Sequence, residues 1–278
     1  MVRLSPATRI GVIGCGAMGS AILGGVLEAR VVGASRLSGF DPAPGRAAAL
    51  RTLHVRSAAS NAALARASDV VVLAVKPQVM SSVLHEIAPA LTPRHLVISI
   101  AAGISTRRIE HELGRGIPVV RVMPNTPAQI CQGMSVMCRG RAARAGHVAA
   151  AAAIFSALGE VLVLPERFFH AVTAVSGSGP AYVFFFMEGM VEAGRRLRVP
   201  PRALRRLVLT TVLGSARLAH ATGEALAALR ARVTSKGGTT EAAFRVFDRA
   251  KVRQGIVAGI VAAARRSSRL ARSVDRCS

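Results

Sequence analysis

The chain has 278 residues, 51% of them hydrophobic, and a formal net charge of +23. That length suits one large or two ordinary domains with a substantial core, and no apolar stretch reaches the roughly 18 residues of a membrane helix. The charge alone would suggest a nucleic-acid partner, but it is spread evenly, with 17 basic and 7 acidic side chains in residues 1–164 and 20 and 7 in residues 165–278, so no specific nucleic acid is expected.

The first element starts by about Arg9, which leaves no room for a cleavable signal and points to a cytoplasmic chain. Residues 10–13 form an apolar run that meets Gly14-Cys15-Gly16-Ala17-Met18-Gly19 and then a helical pattern. This is G-x-G-x-x-G in a strand–turn–helix setting. Gly14 permits a tight turn, Gly16 lets a pyrophosphate approach the backbone, and Gly19 lets helix and strand pack closely. A dinucleotide is therefore the expected cofactor. Residues 36–40 read as a second strand ending at Asp41, 22 residues beyond Gly19. An acid here can accept from the ribose 2′-hydroxyl of NADH and repel the 2′-phosphate of NADPH. It can equally be a turn residue before Pro42. Arg46 can instead hold the phosphate.

Residues 43–53 and 61–66 are helical in pattern. Residues 70–75 are wholly apolar, as a central parallel strand should be, and end in Lys76-Pro77-Gln78. Residues 96–100 form the next strand, followed by the small residues Ala101-Ala102-Gly103. Residues 119–122 lead into Met123-Pro124-Asn125. Residues 134–137 add a strand, 144–157 an alanine-rich helix, and 161–164 close the sheet. This alternation is a doubly wound α/β fold over residues 1–164. Cys15, Cys131, Cys138 and Cys277 show no C-x-x-C spacing, so neither a metal site nor disulfides are expected.

From Pro165 helical periods take over: residues 168–175, 180–197, 201–222, 225–232, 240–250 and 252–267. Residues 165–278 are expected to be all-α, with a basic tail from residue 265 that frays. Ser176-Gly177-Ser178-Gly179-Pro180 and Thr234-Ser235-Lys236-Gly237-Gly238-Thr239-Thr240 each precede a helix. Each sets free backbone N–H groups at a helix start, as an anion site or as ordinary capping. Phe184, Phe185, Phe186, Met187 and Met190 crowd one helix. One thin layer cannot hide that much apolar surface, so a homodimer through this half is expected.

Taken in order, GCGAMG, AVKPQ, SIAAGI, RVMPNTPA, AVSGSGPAY and VTSKGGTT resemble the pyrroline-5-carboxylate reductase family, over about residues 9–255. The resemblance implies a Rossmann-type α/β domain followed by an all-α dimerisation domain, with dimers assembling into decamers. It implies reduction of the cyclic imine Δ1-pyrroline-5-carboxylate to L-proline, with NADPH as cofactor and NADH also usable. It places Gly14, Cys15, Gly16, Ala17, Met18 and Gly19 on the pyrophosphate and Asn61 near the adenosine half. Ala74, Val75, Lys76, Pro77, Ala101, Ala102 and Gly103 then run along the cofactor towards the nicotinamide, and Asn125 belongs to the cleft floor. Glu166, Ser235, Gly237, Gly238, Thr239 and Thr240 fall at the substrate. Its carboxylate lies on the loop amides, and the Thr240 hydroxyl, the catalytic group, faces the ring nitrogen.

Four positions depart from the family's pattern. Lys236 replaces a usual proline, His170 an aspartate, Ala225-Leu226 a His-Pro pair, and Thr210 a glutamine. Lys236 and His170 bear on substrate affinity and pH behaviour. β-Hydroxyacid and imine reductases with other substrates are the nearest alternative, but they usually carry a catalytic lysine in the helical half. Only Lys236 and Lys251 stand there. A non-catalytic NAD(P)-binding protein is the remaining alternative.

Overall fold

The computed structural model describes residues 4–114 and 116–276. Its strands are β1 (Ile10–Ile13), β2 (Leu37–Phe40), β3 (Arg56–Ser57), β4 (Val70–Leu73), β5 (Leu96–Ser99), β6 (Val119–Met123), β7 (Gly133–Arg139) and β8 (Gly159–Val163). They form one sheet in the order β3-β2-β1-β4-β5-β6-β7-β8. Neighbours run parallel except β6 and β7, which are antiparallel. The strand order reverses at β1, between β2 and β4, which is where an open α/β sheet leaves a crevice for a ligand.

Around the sheet lie α1 (Ala17–Glu28), α2 (Arg46–Thr52), α3 (Asn61–Ala67), α4 (Met80–Ile87), α5 (Thr106–Leu113) and α6 (Ala145–Phe155). β1, β4 and β5 are buried at every residue, because helices cover both faces of a parallel sheet. Alternate strand residues feed two cores. Val12 and Val72 pack with Ile22, Leu23 and Phe155, while Ile13 and Val71 pack with Leu64, Met80 and Ile109. Ser60 and Ser105 start α3 and α5 by accepting the amides of Ala63 and Arg108 at 3.1 and 3.2 Å, as N-cap residues do.

Beyond the sheet come α7 (Phe169–Val172), α8 (Gly179–Arg196), α9 (Pro201–Thr222), α10 (Leu226–Arg232), α11 (Thr239–Arg249) and α12 (Val252–Arg276). The chain divides into two compact units, Met1–Ser178 with Ala263–Ser278, and Gly179–Ala262. The strand pattern ends near residue 164, where the sequence places the boundary. The first unit runs further because α7 packs on the sheet: Phe169 and Val172 share a small core with Val136 and Cys138.

The expectation of a frayed tail is corrected. α12 stays helical to Arg276. Ala263, Ala264, Ser267, Ser268 and Ala271 are half-buried at three- and four-residue spacing, while Arg265, Arg266 and Arg269 face solvent. The arginines hide an amphipathic stripe made of small residues. Cys277 lies outside the described residues, and Cys15, Cys131 and Cys138 are free thiols.

In the second unit α8 meets α9 closely, since a Cβ on Gly194 would run into Leu204. Among the described residues of α8–α11 only Gly194, Leu204 and Val208 are buried. Phe184, Phe185 and Phe186 are 57, 77 and 56% exposed. No helix among the described residues is long and apolar enough to cross a membrane.

Phe155, fully enclosed between sheet and helices, is expected to carry much of the first core. Phe155→Ala should lower stability by about 3–5 kcal/mol, read from denaturant unfolding followed by far-UV circular dichroism.

Candidate active site

β1 ends at the glycine turn. Gly14 has φ +90°, and a Cβ there would stand 2.7 Å from the Ala74 oxygen. Gly14 donates its amide to the Phe40 oxygen at 2.8 Å, and Ala74 donates to the Ile13 oxygen at 2.8 Å. A Cβ on Gly19 would overlap the Gly14 carbonyl, so only glycine lets α1 sit this near the strand end. Gly16 differs: its Cβ would meet nothing within 4 Å. No side chain caps α1, whose first turn holds no acid. Ala17 and Met18 open that helix. Open space beside an uncapped helix start fits a dinucleotide's pyrophosphate.

Asp41 stands at the end of β2 with both carboxylate oxygens engaged. Oδ2 accepts the Cys15 amide at 2.8 Å and Oδ1 the Ala43 amide at 2.9 Å. It is thus a turn residue and also a brace for the glycine turn. Burial, then Asp41's charge, pushes the Cys15 thiol up to about 11, so it packs rather than reacts. The side chains of Arg46 and Lys76 make no hydrogen bond or ion pair among the described residues, though the Arg46 charge is felt at Cys15. Lys76 precedes a short 3-10 turn beginning at Pro77, just past Val75 and the end of β4. Asn61 Nδ2 donates to Glu86 at 2.7 Å, and its buried Oδ1 has no partner.

After β5, Ala101 donates its amide to Ser99 Oγ at 3.3 Å, and Ala102 is exposed. Gly103 has φ +80°, and a Cβ on it would lie 3.8 Å from Ala271 Cα.

Glu166 is held by three donors. Thr106 gives its amide and hydroxyl at 2.9 and 2.7 Å, and Arg121 Nη1 donates at 3.0 Å. The Arg121 side chain is 5% exposed, and its guanidinium stacks on the Phe169 ring at 4.7 Å. Sequence reasoning passed over Arg121 and Thr106. The available signal was a lone arginine inside the apolar run VVRVM, which must find an anion when buried.

The long helix expected to open within Ser176–Tyr182 does so, α8 starting at Gly179, but the turn before it is not free. α7 continues through a π turn, Thr173–Gly177, and the Ser178 amide donates to the Thr173 oxygen at 2.8 Å. The Ser178 amide is therefore not open to an anion. Pro180 has no N–H for the Ser176 oxygen four residues back. Asn125 Nδ2 takes that oxygen at 3.4 Å and Ser176 Oγ at 3.3 Å, while Asn125 Oδ1 accepts the Met134 amide at 2.9 Å. The Asn125 carboxamide is therefore spent on fixing this turn.

In the second unit the Ser235–Thr240 loop leads into α11, with Gly238 as an N-cap that has no side-chain bond. The Gly237 amide donates to Glu241, and the Gly238 amide to the Ser235 oxygen at 3.0 Å. These two amides are used internally. The amides of Thr239 and Thr240, at the start of α11, remain for an anion. Lys236 is exposed, and Thr240 is half-buried.

Two family models match this chain. One, described as pyrroline-5-carboxylate reductase dimerisation, covers residues 166–270, and one described as NADP oxidoreductase, coenzyme F420-dependent, covers residues 9–103. A pyrroline-5-carboxylate reductase of Pseudomonas aeruginosa is 42% identical over 96% of this chain and 98% of its own. The chain belongs to the pyrroline-5-carboxylate reductase family. Among solved structures, the pyrroline-5-carboxylate reductase of Coxiella burnetii matches with TM-score 0.88 and 33% identity, over 95% of this chain and 98% of that one. A Plasmodium falciparum pyrroline carboxylate reductase with NADP bound matches with TM-score 0.88 and 28% identity, over 96% and 100%. Like the family, this chain joins a Rossmann-type sheet to a region that matches a dimerisation domain, and the exposed phenylalanines of α8 lie within it.

The glycines separate fold from binding. Gly16→Ala should leave the melting temperature within about 2 °C and weaken NADPH binding about tenfold or more, since its methyl enters open space. Gly19→Ala should cost about 3 kcal/mol or more, because backbone must move. Thermal melts and fluorescence titration of NADPH read the two effects.

Proposed function

We propose that this chain reduces Δ1-pyrroline-5-carboxylate to L-proline with NAD(P)H. The observation that carries the reading is 42% identity over 96% of the chain to a pyrroline-5-carboxylate reductase. NADPH is the favoured donor and NADH is usable. Arg46, with no hydrogen bond or ion pair among the described residues, is the residue we assign to the 2′-phosphate. Asp41, with one amide on each oxygen, keeps a second lone pair on each and can still accept from the 2′-hydroxyl of NADH. When bound, the cofactor supplies the hydride.

The chain's own part is positioning. Gly14–Gly19 holds the pyrophosphate, Asn61 the adenosine side, and Ala74–Pro77 with Ala101–Gly103 the path to the nicotinamide. The substrate carboxylate lies on the open amides of Thr239 and Thr240, beside Ser235, Gly237 and Gly238. The imine reacts in its protonated form, so hydride uptake at the neighbouring carbon gives the neutral secondary amine directly, and the Thr240 hydroxyl donates to the lone pair that the ring nitrogen gains. Glu166, through its cluster with Arg121 and Thr106, shapes the substrate side. Placing reacting groups in contact can account for several kcal/mol of barrier, so no acid–base triad is needed. The buried free thiols Cys15 and Cys138 suit a reducing cytoplasm.

The assembly is a homodimer through residues 165–270, and we assign five dimers to a ring. Light scattering at micromolar concentration should return at least twice the 28.9 kDa of one chain; a monomeric mass would sink the assignment.

Oxidation of NADPH should follow addition of pyrroline-5-carboxylate, with proline as product. A folded, cofactor-binding preparation that leaves the imine untouched overturns the reading. Thr240→Ala should lower kcat by about tenfold, the scale of one hydrogen bond, with a smaller rise in KM.

A further inference from the structure

His170 on α7 and Ser267 on α12 meet at a single hydrogen bond, Nδ1 to Oγ, 3.0 Å long. Both residues belong to the first unit. Nothing in the proposed reaction uses either. One helical turn past Ser267, Ala271 stands behind Gly103, close enough that a Cβ on Gly103 would lie 3.8 Å from its Cα. The rest of this face of α12 consists of small, half-buried residues, Ala263, Ala264 and Ser268. Each buries little apolar area, so one directional bond matters in fixing where the segment sits.

We propose that His170 is a positioning residue: by holding Ser267 it seats the end of α12 behind Ala101–Gly103 and keeps that loop in its binding shape. The proposal rests on the reading above that this loop lines the cofactor.

The groups facing His170 give the contact a pH dependence. They are Arg121 from β6, Glu166 from the turn before α7, and Arg272 from α12 itself. Burial, then Arg121 and Arg272, lowers the imidazole's pKa from its usual 6.5, while Glu166 acts the other way. A released His170 therefore takes a proton more readily than a seated one. Seating is complete above the usual value and weakens as pH falls below it.

The test uses the full chain and two readings, amide exchange of residues 100–104 and 263–272 without cofactor, and the Kd for NADPH. At pH 7.5, His170→Ala should raise exchange in both segments about tenfold and the Kd about fivefold, with kcat at saturation within about twofold. Lowering the parent from pH 7.5 to 5.5 should raise the Kd and lower the protection of both segments, exchange being divided by the intrinsic rate at each pH. His170→Asn keeps a polar atom near the place of Nδ1 without titrating. It should restore both readings and flatten the pH profile. Ser267→Ala should mimic His170→Ala, and the double variant should add nothing further. An unchanged Kd in His170→Ala overturns the proposal, as does a His170→Asn variant that keeps the parent's pH slope. Exchange that rises while the Kd stays fixed also overturns it, by showing that the loop does not carry cofactor. Turnover of the imine enters neither reading, so an inactive enzyme would leave this test intact.

Discussion

Gly19 lies so near the Gly14 carbonyl that no side chain fits between them. This approach sets where α1 begins relative to β1. It brings the helix's open amides to the place where the strand order reverses, between β2 and β4. Asp41 then fixes the intervening Cys15 amide from the end of the next strand. Two glycines and one carboxylate thus shape the turn before any ligand arrives, so binding need not spend free energy on ordering it.

A second constraint lies along the sheet at Arg121. A buried guanidinium left alone is strongly unfavourable, and removing one partner of such a pair typically costs about 3–5 kcal/mol. The Glu166 side chain keeps 30% of its exposure, which lessens that cost through solvent screening. Arg121's requirement nevertheless joins four pieces of chain: β6 that carries it, the start of α5 through Thr106, the turn holding Glu166, and the Phe169 ring on α7. This is why α7 belongs with the sheet although the strand pattern has already ended. Specificity of packing, more than net stability, is what the cluster provides.

Much of this was legible in the sequence. VVVL and LVIS announce central strands because burial on both faces leaves them almost wholly apolar, Ser99 excepted, and G-x-G-x-x-G names its own turn. β3 left no trace, since two exposed residues, Arg56 and Ser57, carry no hydrophobic period. α5, TRRIEHEL, buries only Thr106, Ile109 and Leu113 and reads as polar. The glycines before Pro180 suggested a helix start because proline is at home there. A helix, α8, does start there, at Gly179, but a π turn leads into it and the unpaired Ser176 carbonyl goes to Asn125, a partner 51 residues away. At the candidate site, the residue types were readable, but their engagements were not. That Asp41 braces an amide, that Glu241 occupies Gly237, and that His170 meets Ser267 are long-range or competing contacts, which local patterns do not encode.

The thin second unit has a consequence for what keeps the protein folded. With Leu204 and Val208 as its only large buried side chains among the described residues of α8–α11, its helices gain too little from burial to offset their ordering entropy. Association with a second copy adds the burial that one chain lacks, so the stability of this half is tied to protein concentration. Dilution, as well as heat or denaturant, then becomes a way to loosen it, with three phenylalanines as the first surface returned to water.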